Sequence, residues 1–322
     1  MVAFVIRRLI STVLVLFAIS LLTYVIFFAT PGVDPAARIA GRNADPQTLA
    51  AVKHDFGLDR PLPVKYGIMM KKLFWSRDLT SYVNRGARVI PQVTAAAPVT
   101  LSLVIGAAVI WVIVSIGIGL TAVVFRGTVI DPLLMILGLI GISMPVFWLG
   151  EVVNLITQSS LHHSVFHWVP PLGYTPLTRD PLMWAKQLLF PWITLSILYI
   201  GFYGRVLRSN LLEVYDEDYV RTARAKGLTE RRVLLRHVLR TSLVTFVSLF
   251  GLDFGALVGG GALLTEVVFG LPGVGLLTYQ SLQNLDLPVI LATVMYAAFF
   301  VVLANAVVDV LYAWLDPRVR VA

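Results

Sequence analysis

Long apolar runs separated by polar segments dominate this chain. A helix needs about 20 apolar residues to cross the hydrocarbon core of a membrane, and six stretches reach roughly that length. They lie at residues 9–29, 98–125, 132–155, 188–207, 243–264 and 288–314. The pattern predicts an all-α integral membrane protein with six transmembrane helices.

The polar segments between these spans define the predicted organisation. Residues 1–30 form an N-terminal span, which is too long for the apolar core of a signal peptide and lacks a cleavage site. Residues 31–97 form an extended extracytoplasmic segment, in which Asp45 and Pro46 predict the start of a short helix. Residues 98–322 form the core with spans two to six, and Pro145 predicts a kink or break within span three.

The distribution of Lys and Arg predicts the orientation. The segment 208–240 carries eight of them, whereas none occurs between Arg240 and Arg318. Basic residues in short loops mark the cytoplasmic side, so this segment and both termini are predicted to be cytoplasmic. The ten basic residues of 31–97 do not contradict this, because long segments translocate largely regardless of charge.

Composition removes several classes of function. Hydrophobic residues make up 57% of the chain and charged residues only 14%, against about 25% in soluble proteins. The absence of Cys excludes disulfides, thiolate catalysis and Cys-bound metals. The net charge of +8 is concentrated beside the spans, which favours contact with membrane lipid over nucleic acid.

The segment from Asp218 to Arg232 is the most informative polar stretch. Acidic residues at its start complement the positive end of a helix dipole, and basic residues near position 226 complement the negative end. Gly227 is predicted to end this helix in a left-handed conformation, and Thr229 to begin a second helix. An exposed charged helix of this kind is suited to docking in a groove of another protein.

The same segment resembles a known family. It resembles the cytoplasmic coupling loop of ABC importer permeases in one run: Tyr219-Val-Arg221, then Ala223, three further residues and Gly227-Leu228. The fuller pattern has Glu-Ala-Ala where this chain has Arg221-Thr222-Ala223. The form Arg-Thr-Ala-Arg-Ala-Lys-Gly-Leu is similar to the dipeptide/oligopeptide branch. Further similarities cover nearly the whole chain, at Thr30-Pro-Gly, Phe56-Gly-Leu-Asp, Pro145-Val-Phe-Trp, Glu266-Val-Val-Phe-Gly-Leu-Pro-Gly-Val-Gly275 and Asp316-Pro-Arg-Val.

The resemblance implies a permease of the type I ABC importer kind in a bacterial or archaeal cytoplasmic membrane. It implies a second permease subunit, two ATPase subunits that bind ATP and Mg²⁺, and an extracytoplasmic solute-binding protein. This chain contains no Walker A sequence and is expected to bind no cofactor itself. The implied ATPase contacts fall on Asp218, Tyr219, Arg221, Ala223, Lys226, Gly227 and Leu228.

The substrate and one rival class stay open at this point. Peptides are the expected substrates, and nickel chelates, glutathione or another small solute are alternatives. A different class would be an autonomous six-span channel or membrane enzyme. That class is disfavoured because the sequence shows neither a catalytic set nor a polar filter.

Span five carries two features of interest. Gly251, Gly255 and Gly259 recur every four residues and predict close packing of one helix face against a neighbour. Asp253 lies roughly opposite that face, and a carboxylate within a span is expected to face an interior or a water-filled path. We therefore predict that Asp253 lines the translocation path, where it would meet a peptide ammonium, and a polar contact between helices is the alternative.

Other polar residues give weaker indications. Glu266, Pro272, Gly273 and Gly275 belong to the predicted outer loop, where Glu266 is expected to orient the loop. Glu151 and Asp309 have no role that the sequence can assign. His162, His163 and His167 suggest a metal site, but a solvated loop without metal is the preferred interpretation.

Overall fold

The computed structural model describes residues 2–29, 36, 46–55, 59–84, 86–159 and 165–315. These residues are almost entirely helical, and a single bridge between Thr80 and Arg88 is their only β pairing. The helices in chain order are α1 (Val2–Ala29), α2 (Pro46–Asp55), α3 (Leu62–Met70), α4 (Val89–Val124), α5 (Ile130–Ser143), α6 (Val146–Gln158), α7 (Pro181–Tyr215), α8 (Asp218–Ala225), α9 (Glu230–Val233), α10 (Leu239–Ala256), α11 (Leu263–Val268), α12 (Val274–Asn284) and α13 (Leu287–Leu315).

Four of the described helical segments are long and apolar enough to cross a membrane. They are α4, α7, the continuous stretch from Glu230 to Gly261 that contains α9 and α10, and α13. The pair α5 and α6 passes the same test as one broken span, bent by 95°. The break falls at Pro145, the N-cap of α6, which confirms the predicted interruption. The first helix is apolar over Ile10–Ile26, and the count of six spans stays a prediction.

Two helices begin earlier than the sequence predicted. The second span was predicted to start at Pro98, but α4 begins at Val89, which is fully buried, and Pro98 lies inside the helix. The fourth span was predicted from residue 188, but α7 begins at Pro181. Its N-cap Asp180 accepts hydrogen bonds from the backbone N–H groups of Leu182 and Met183 at 3.0 Å. The helices therefore extend into the polar segments 31–97 and 158–187, whose membrane boundaries stay a prediction.

The helices on either side of the charged segment also extend beyond the predicted apolar runs. The charged segment was predicted to start at residue 208, but α7 continues as a helix to Tyr215. Span five was predicted from residue 243, whereas its helix begins at Glu230. Apolar composition marks only the part of a helix that lies in hydrocarbon, and a helix continues beyond it wherever backbone bonding and packing allow.

The centre of the molecule is the contact between α4 and α7, where glycine residues allow close approach. A Cβ atom on Gly106 would overlap the Trp192 ring of α7, and one on Gly119 would come within 3.0 Å of the Leu207 side chain. Gly138 of α5 faces Gly201 of α7 in the same way. Trp111, Tyr203, Leu103 and Leu207 are fully buried in this core. This packing fixes the positions of the helix ends.

The segment before α4 makes hydrogen bonds to other parts of the chain. Tyr66 of α3 lies at 2.7 Å from the Ser20 hydroxyl of α1, and the Tyr24 hydroxyl donates to the carbonyl of Leu62 at 3.0 Å. Buried Asp286, just before α13, accepts a hydrogen bond from the Ser81 hydroxyl and one from the backbone N–H of Tyr82. The segment is therefore linked to both the first and the last helix.

Candidate functional site

The charged loop forms a short helix with one buried face and one exposed face. In α8, Val220 is fully buried and Ala223 is 6% exposed, and both belong to the central core. Asp218, Tyr219, Arg221 and Lys226 are exposed. One face of the helix therefore packs against the core, and the opposite face is polar and exposed.

The turn that ends α8 has the hydrogen bonds of a Schellman motif. The N–H of Gly227 donates to the Arg224 carbonyl at 2.9 Å, and the N–H of Leu228 donates to the Ala223 carbonyl at 3.4 Å. Gly227 has φ of +79°, in the left-handed region that favours glycine. Leu228 packs against the central core. The predicted turn is present, and Thr229 is the N-cap of α9, although its side chain makes no capping bond.

Side-chain contacts hold the two helices of the loop in a fixed arrangement. Arg224 of α8 donates to Glu230 of α9 at 2.8 Å, and its guanidinium lies 4.8 Å from the centre of the Tyr215 ring. The ion pair with Glu230 raises the pKa of Arg224. The Tyr219 hydroxyl donates to Thr241 of α10 at 3.0 Å. These contacts join α8 to both α9 and α10.

The predicted apolar stripe of the second helix is present. Val233 and Val238 are fully buried, Leu234 is 8% exposed, and His237 is half-buried. The stripe continues without interruption into α10. A π-helical stretch, Leu234–Val238, joins α9 to α10 without an intervening loop.

A bidentate ion pair joins α5 to α7 near the charged loop. Arg208 Nε and Nη2 donate to the two carboxylate oxygens of Asp131, each at 2.6 Å. The Asp131 side chain is only 9% exposed. Neither residue was predicted to have a role, although opposite charges at the ends of two neighbouring spans were a usable signal.

Asp253 lies between α10 and α7, where Tyr203 donates to its carboxylate at 2.6 Å. The residue is half-buried. Around Tyr203 lies an aromatic group in which Trp111 stacks on Tyr199 at 4.6 Å, and Phe246 meets Tyr203 edge-on at 4.9 Å. Asp253 therefore makes one of the two contacts considered from the sequence, a polar bond between helices. Its half-exposed carboxylate keeps further acceptor positions for another donor.

The three glycines of span five all face α13. A Cβ atom on Gly251 would overlap Val308, and one on Gly255 would overlap Ala304. At Gly259 a Cβ would come within 2.9 Å of the Ala297 carbonyl oxygen. The close contact therefore lies within this chain, between α10 and α13. Gly260, which follows, has φ of +125° and bends the end of the helix.

Glu266 is the centre of a buried polar cluster that joins α4, α11 and α12. It is fully buried. One carboxylate oxygen accepts from the Thr100 hydroxyl at 2.6 Å, and the other accepts from the backbone N–H of Leu276 at 2.9 Å. Thr100 in turn accepts from the N–H of Val274 at 2.9 Å. The side chain of one helix thus caps the N-terminus of another.

The glycines around Glu266 are explained by this cluster. A Cβ on Gly273 would overlap the Glu266 carboxylate, and one on Gly275 would lie 2.6 Å from Leu263. Gly270 has φ of +61° and ends α11 in a second Schellman turn, in which Leu271 donates to the Glu266 carbonyl at 2.9 Å. Pro272 is exposed. The motif from Glu266 to Gly275 therefore encodes a compact fold-back of the chain.

Burial and hydrogen bonding shift the pKa of Glu266 in opposite directions. Burial raises the pKa of Glu266 from its ordinary value of 4.5 to about 7, against the lowering effect of the bonds from Thr100, Leu276 and Gly275. The partial positive charge at the N-terminus of α12 also favours the carboxylate. The residue can therefore change its protonation state near neutral pH.

Several predicted candidates are not brought into a site. Glu151 is exposed. His162, His163, Thr30, Phe56 and Asp316 lie outside the described residues, as does the side chain of Asp309. Among the residues that the structure describes, no group of three or more His, Cys, Asp or Glu could hold a metal.

Sequence reasoning missed Thr100, Tyr203 and Asp131, the partners of Glu266, Asp253 and Arg208. Each pair is separated by at least 50 residues in sequence. For Thr100 and Tyr203 the only signal was a polar side chain inside an apolar span, which has to find a partner. For Asp131 the signal was an opposite charge at the end of a neighbouring span.

Comparison with known proteins places this chain in a family. Residues 113–321 match the binding-protein-dependent transport system inner membrane component, and residues 1–104 match the N-terminal region of membrane components of such systems. The chain is 36% identical over 320 residues to a Brucella abortus (strain 2308) protein named for peptide transport permease, with 99% of each chain covered.

Two further relatives are named for related solutes. The dipeptide transport system permease protein of Alkalihalophilus pseudofirmus is 31% identical over 341 residues, with 99% of this chain and all of the relative covered. The glutathione transport system permease protein of Salmonella paratyphi A is 36% identical over 320 residues, with 99% of each covered. The chain belongs to the family of inner-membrane components of binding-protein-dependent transport systems, the type I permeases of ABC importers, which is a family of transport subunits and not of enzymes.

Proposed function

We propose that this chain is one permease subunit of an importer of di- and oligopeptides. The observation that carries the substrate class is full-length similarity to relatives named for peptide and dipeptide transport. The chain pairs with a second, homologous permease and with two ATPase subunits that bind ATP and Mg²⁺. An extracytoplasmic solute-binding protein delivers the peptide, and this chain holds no cofactor of its own.

The exposed face of α8 is the proposed docking surface for an ATPase subunit. Asp218, Tyr219, Arg221 and Lys226 are directed to solvent. Ala223, Gly227 and Leu228 shape the turn that fixes their positions. Movement of α8 reaches α10 through the Tyr219–Thr241 bond and through the continuous α9–α10 helix. This supports a role in coupling ATP hydrolysis to rearrangement of the spans.

The test of this assembly is purification of the tagged chain from its native membrane in mild detergent, with identification of all retained proteins. We expect an ATPase, a second permease and a solute-binding protein. Recovery of this chain alone, stable and monodisperse, would favour an autonomous channel or membrane enzyme. The ligand of a recovered binding protein then separates peptides from nickel chelates and other small solutes.

Glutathione is a second candidate substrate, favoured by the 36% identity to a relative named for glutathione transport. Glutathione is itself a tripeptide, but its first amide bond is made by the γ-carboxyl of glutamate, so the two candidates differ in backbone as well as in side chains. Calorimetric titration of the recovered binding protein with glutathione and with a set of dipeptides decides between them. Selective binding of glutathione would replace the proposal of broad peptide transport.

Asp253 is the proposed contact for a peptide ammonium in the translocation path. Its half-exposed carboxylate uses one oxygen for Tyr203 and lies beside aromatic rings that favour cations. We expect Asp253→Asn to reduce uptake of peptides with a free N-terminus about tenfold or more, because a charge-assisted bond contributes about 1.5–3 kcal/mol.

Tyr203→Phe is the matched control, since it removes the hydroxyl that bonds Asp253 and leaves the carboxylate in place. The comparison measures uptake and thermal stability of both variants. If Asp253 acts only between helices, both variants lose stability alike and neither changes uptake at low substrate concentration. That result would remove Asp253 from the path.

A further inference from the structure

A cavity of about 640 Å³ lies beside the charged loop, between the ends of α4 and α7 and the start of α9. Its size is within the range of sites for small molecules, about 300–1,000 Å³. The charged and aromatic side chains that line it are Arg126, Tyr215, Asp216, Arg224, Glu230 and Arg231. Its remaining walls are apolar.

The charges in this cavity are only partly balanced. Arg224 and Glu230 pair with each other at 2.8 Å, and Arg224 also covers the Tyr215 ring. Arg126, Arg231 and Asp216 are exposed and form no ion pair with any other residue in the part of the chain that the structure describes. Two guanidinium groups and one carboxylate are therefore available to a ligand.

The cavity lies where a membrane surface would meet the protein. Arg126 lies two residues after Val124, the last residue of α4, which is 61% exposed. Val129, on the other side of Arg126, is 81% exposed. Exposed apolar side chains at the end of a span contact lipid chains, and arginines at that level contact headgroups. The ligand that fits this arrangement is amphiphilic.

We propose that the cavity binds a phospholipid whose headgroup carries both a phosphate and a primary ammonium, as in phosphatidylethanolamine. Arg126 and Arg231 donate to the phosphate, for which the guanidinium geometry is suited. Asp216 accepts from the ammonium. The acyl chains follow the exposed apolar surface at Val124 and Val129. A purely anionic headgroup would satisfy the arginines but would repel Asp216.

This lipid would connect the charged loop to the spans, because Arg231 belongs to the loop and Arg126 to the end of α4. The proposal does not depend on the transported substrate. Arg224 of α8 lines the cavity, but Arg126, Asp216 and Arg231, which contact the lipid, are not part of the proposed ATPase docking surface. The proposal requires only that the charged loop lies at a membrane surface. Its failure would leave the proposed peptide transport untouched.

The test is lipid binding to the full chain, purified with the subunits that it retains and placed in nanodiscs of phosphatidylcholine. Phosphatidylethanolamine or phosphatidylglycerol is then titrated in, and occupancy is read by native mass spectrometry. We expect phosphatidylethanolamine to bind more tightly. Arg126→Gln and Arg231→Gln should each weaken it about fivefold, and the double variant about 25-fold.

Asp216→Asn tests whether the cavity distinguishes between headgroups or only attracts any phosphate. It should lower the preference for phosphatidylethanolamine over phosphatidylglycerol about fivefold or more, because the carboxylate no longer attracts an ammonium or repels a net anion. Arg236→Gln is the matched control, since Arg236 is exposed in the same segment but does not line the cavity. It should change neither the affinity for phosphatidylethanolamine nor that for phosphatidylglycerol.

Three outcomes would overturn the proposal. One is equal or tighter binding of phosphatidylglycerol by the unmodified chain. Another is that the Arg126 and Arg231 variants lose no more affinity for phosphatidylethanolamine than Arg236→Gln does. The third is binding of soluble phosphorylethanolamine as tight as that of the lipid, which would indicate a soluble ligand. If a Gln variant fails to fold, Arg126→Lys keeps the charge and should still lose part of the affinity, since lysine lacks the bidentate fork.

Discussion

Gly227 ends α8 with φ of +79°, and its N–H donates to the Arg224 carbonyl. Proline at this position fixes φ near −65° and removes the donor. We expect Gly227→Pro to abolish transport while the chain still inserts in the membrane, because the turn is distorted and no span is touched. The measurement is peptide uptake in cells with equal amounts of the variant in the membrane fraction.

Gly227→Asn is the matched variant for that experiment. Asparagine enters the left-handed region more readily than other residues with a side chain, and it keeps the N–H. We expect Asn to retain most of the uptake. Normal uptake by the Pro variant would contradict the coupling role of this turn.

Glu266 makes stability depend on pH in a defined window. Its pKa is raised by burial from 4.5 to about 7, so between these values the folded state binds more protons than the unfolded state. The free energy of unfolding is therefore expected to fall as pH rises through this window, by on the order of 3 kcal/mol, and to level off above it.

Glu266→Gln should remove that dependence, because its side chain does not titrate. The measurement is thermal unfolding of the purified chain in detergent from pH 4.5 to pH 8, for both proteins. If the Gln variant shows the same pH dependence of stability as the unmodified chain, another titratable group causes it.

At the scale of elements, the contact between α10 and α13 depends on residues without side chains. A side chain on Gly255 would overlap Ala304 of α13. We expect Gly255→Leu to destabilise the chain by about 1–3 kcal/mol, the usual cost of overpacking, with a lower melting temperature in detergent.

Gly117→Leu provides the comparison, since Gly117 also lies within a span but has no atom within 4 Å of its added Cβ. It should not destabilise the chain, since replacing an exposed helical glycine with leucine favours the helix by up to about 1 kcal/mol. Equal destabilisation by both variants would mean that glycine is required for a reason other than the close approach of α13.

At the scale of the whole molecule, the orientation in the membrane can be tested directly because the chain contains no Cys. Arg179 and Arg236 are both exposed, in the loop before α7 and in the charged segment respectively. We expect Arg179→Cys to react with an impermeant maleimide in intact cells. Arg236→Cys should react only after the membrane is permeabilised. Labelling of both from outside would reverse the predicted topology.

The fold class and the order of the spans follow from the sequence alone. Each apolar run has to form its backbone hydrogen bonds internally once it is in lipid, so a helix is the only local solution. The break at Pro145 and the turn at Gly227 are also local, because each depends on the φ that one residue can adopt. The family resemblance is read from the same local motifs.

Tertiary structure decided the partners of the polar residues within the spans. Thr100 reaches Glu266 across 166 positions, and Tyr203 reaches Asp253 across 50. The cavity between Arg126, Asp216 and Arg231 likewise exists only once α4, α7 and α9 have packed. The reason is that a buried polar group accepts any donor of suitable geometry, and helix packing determines which donor comes within reach.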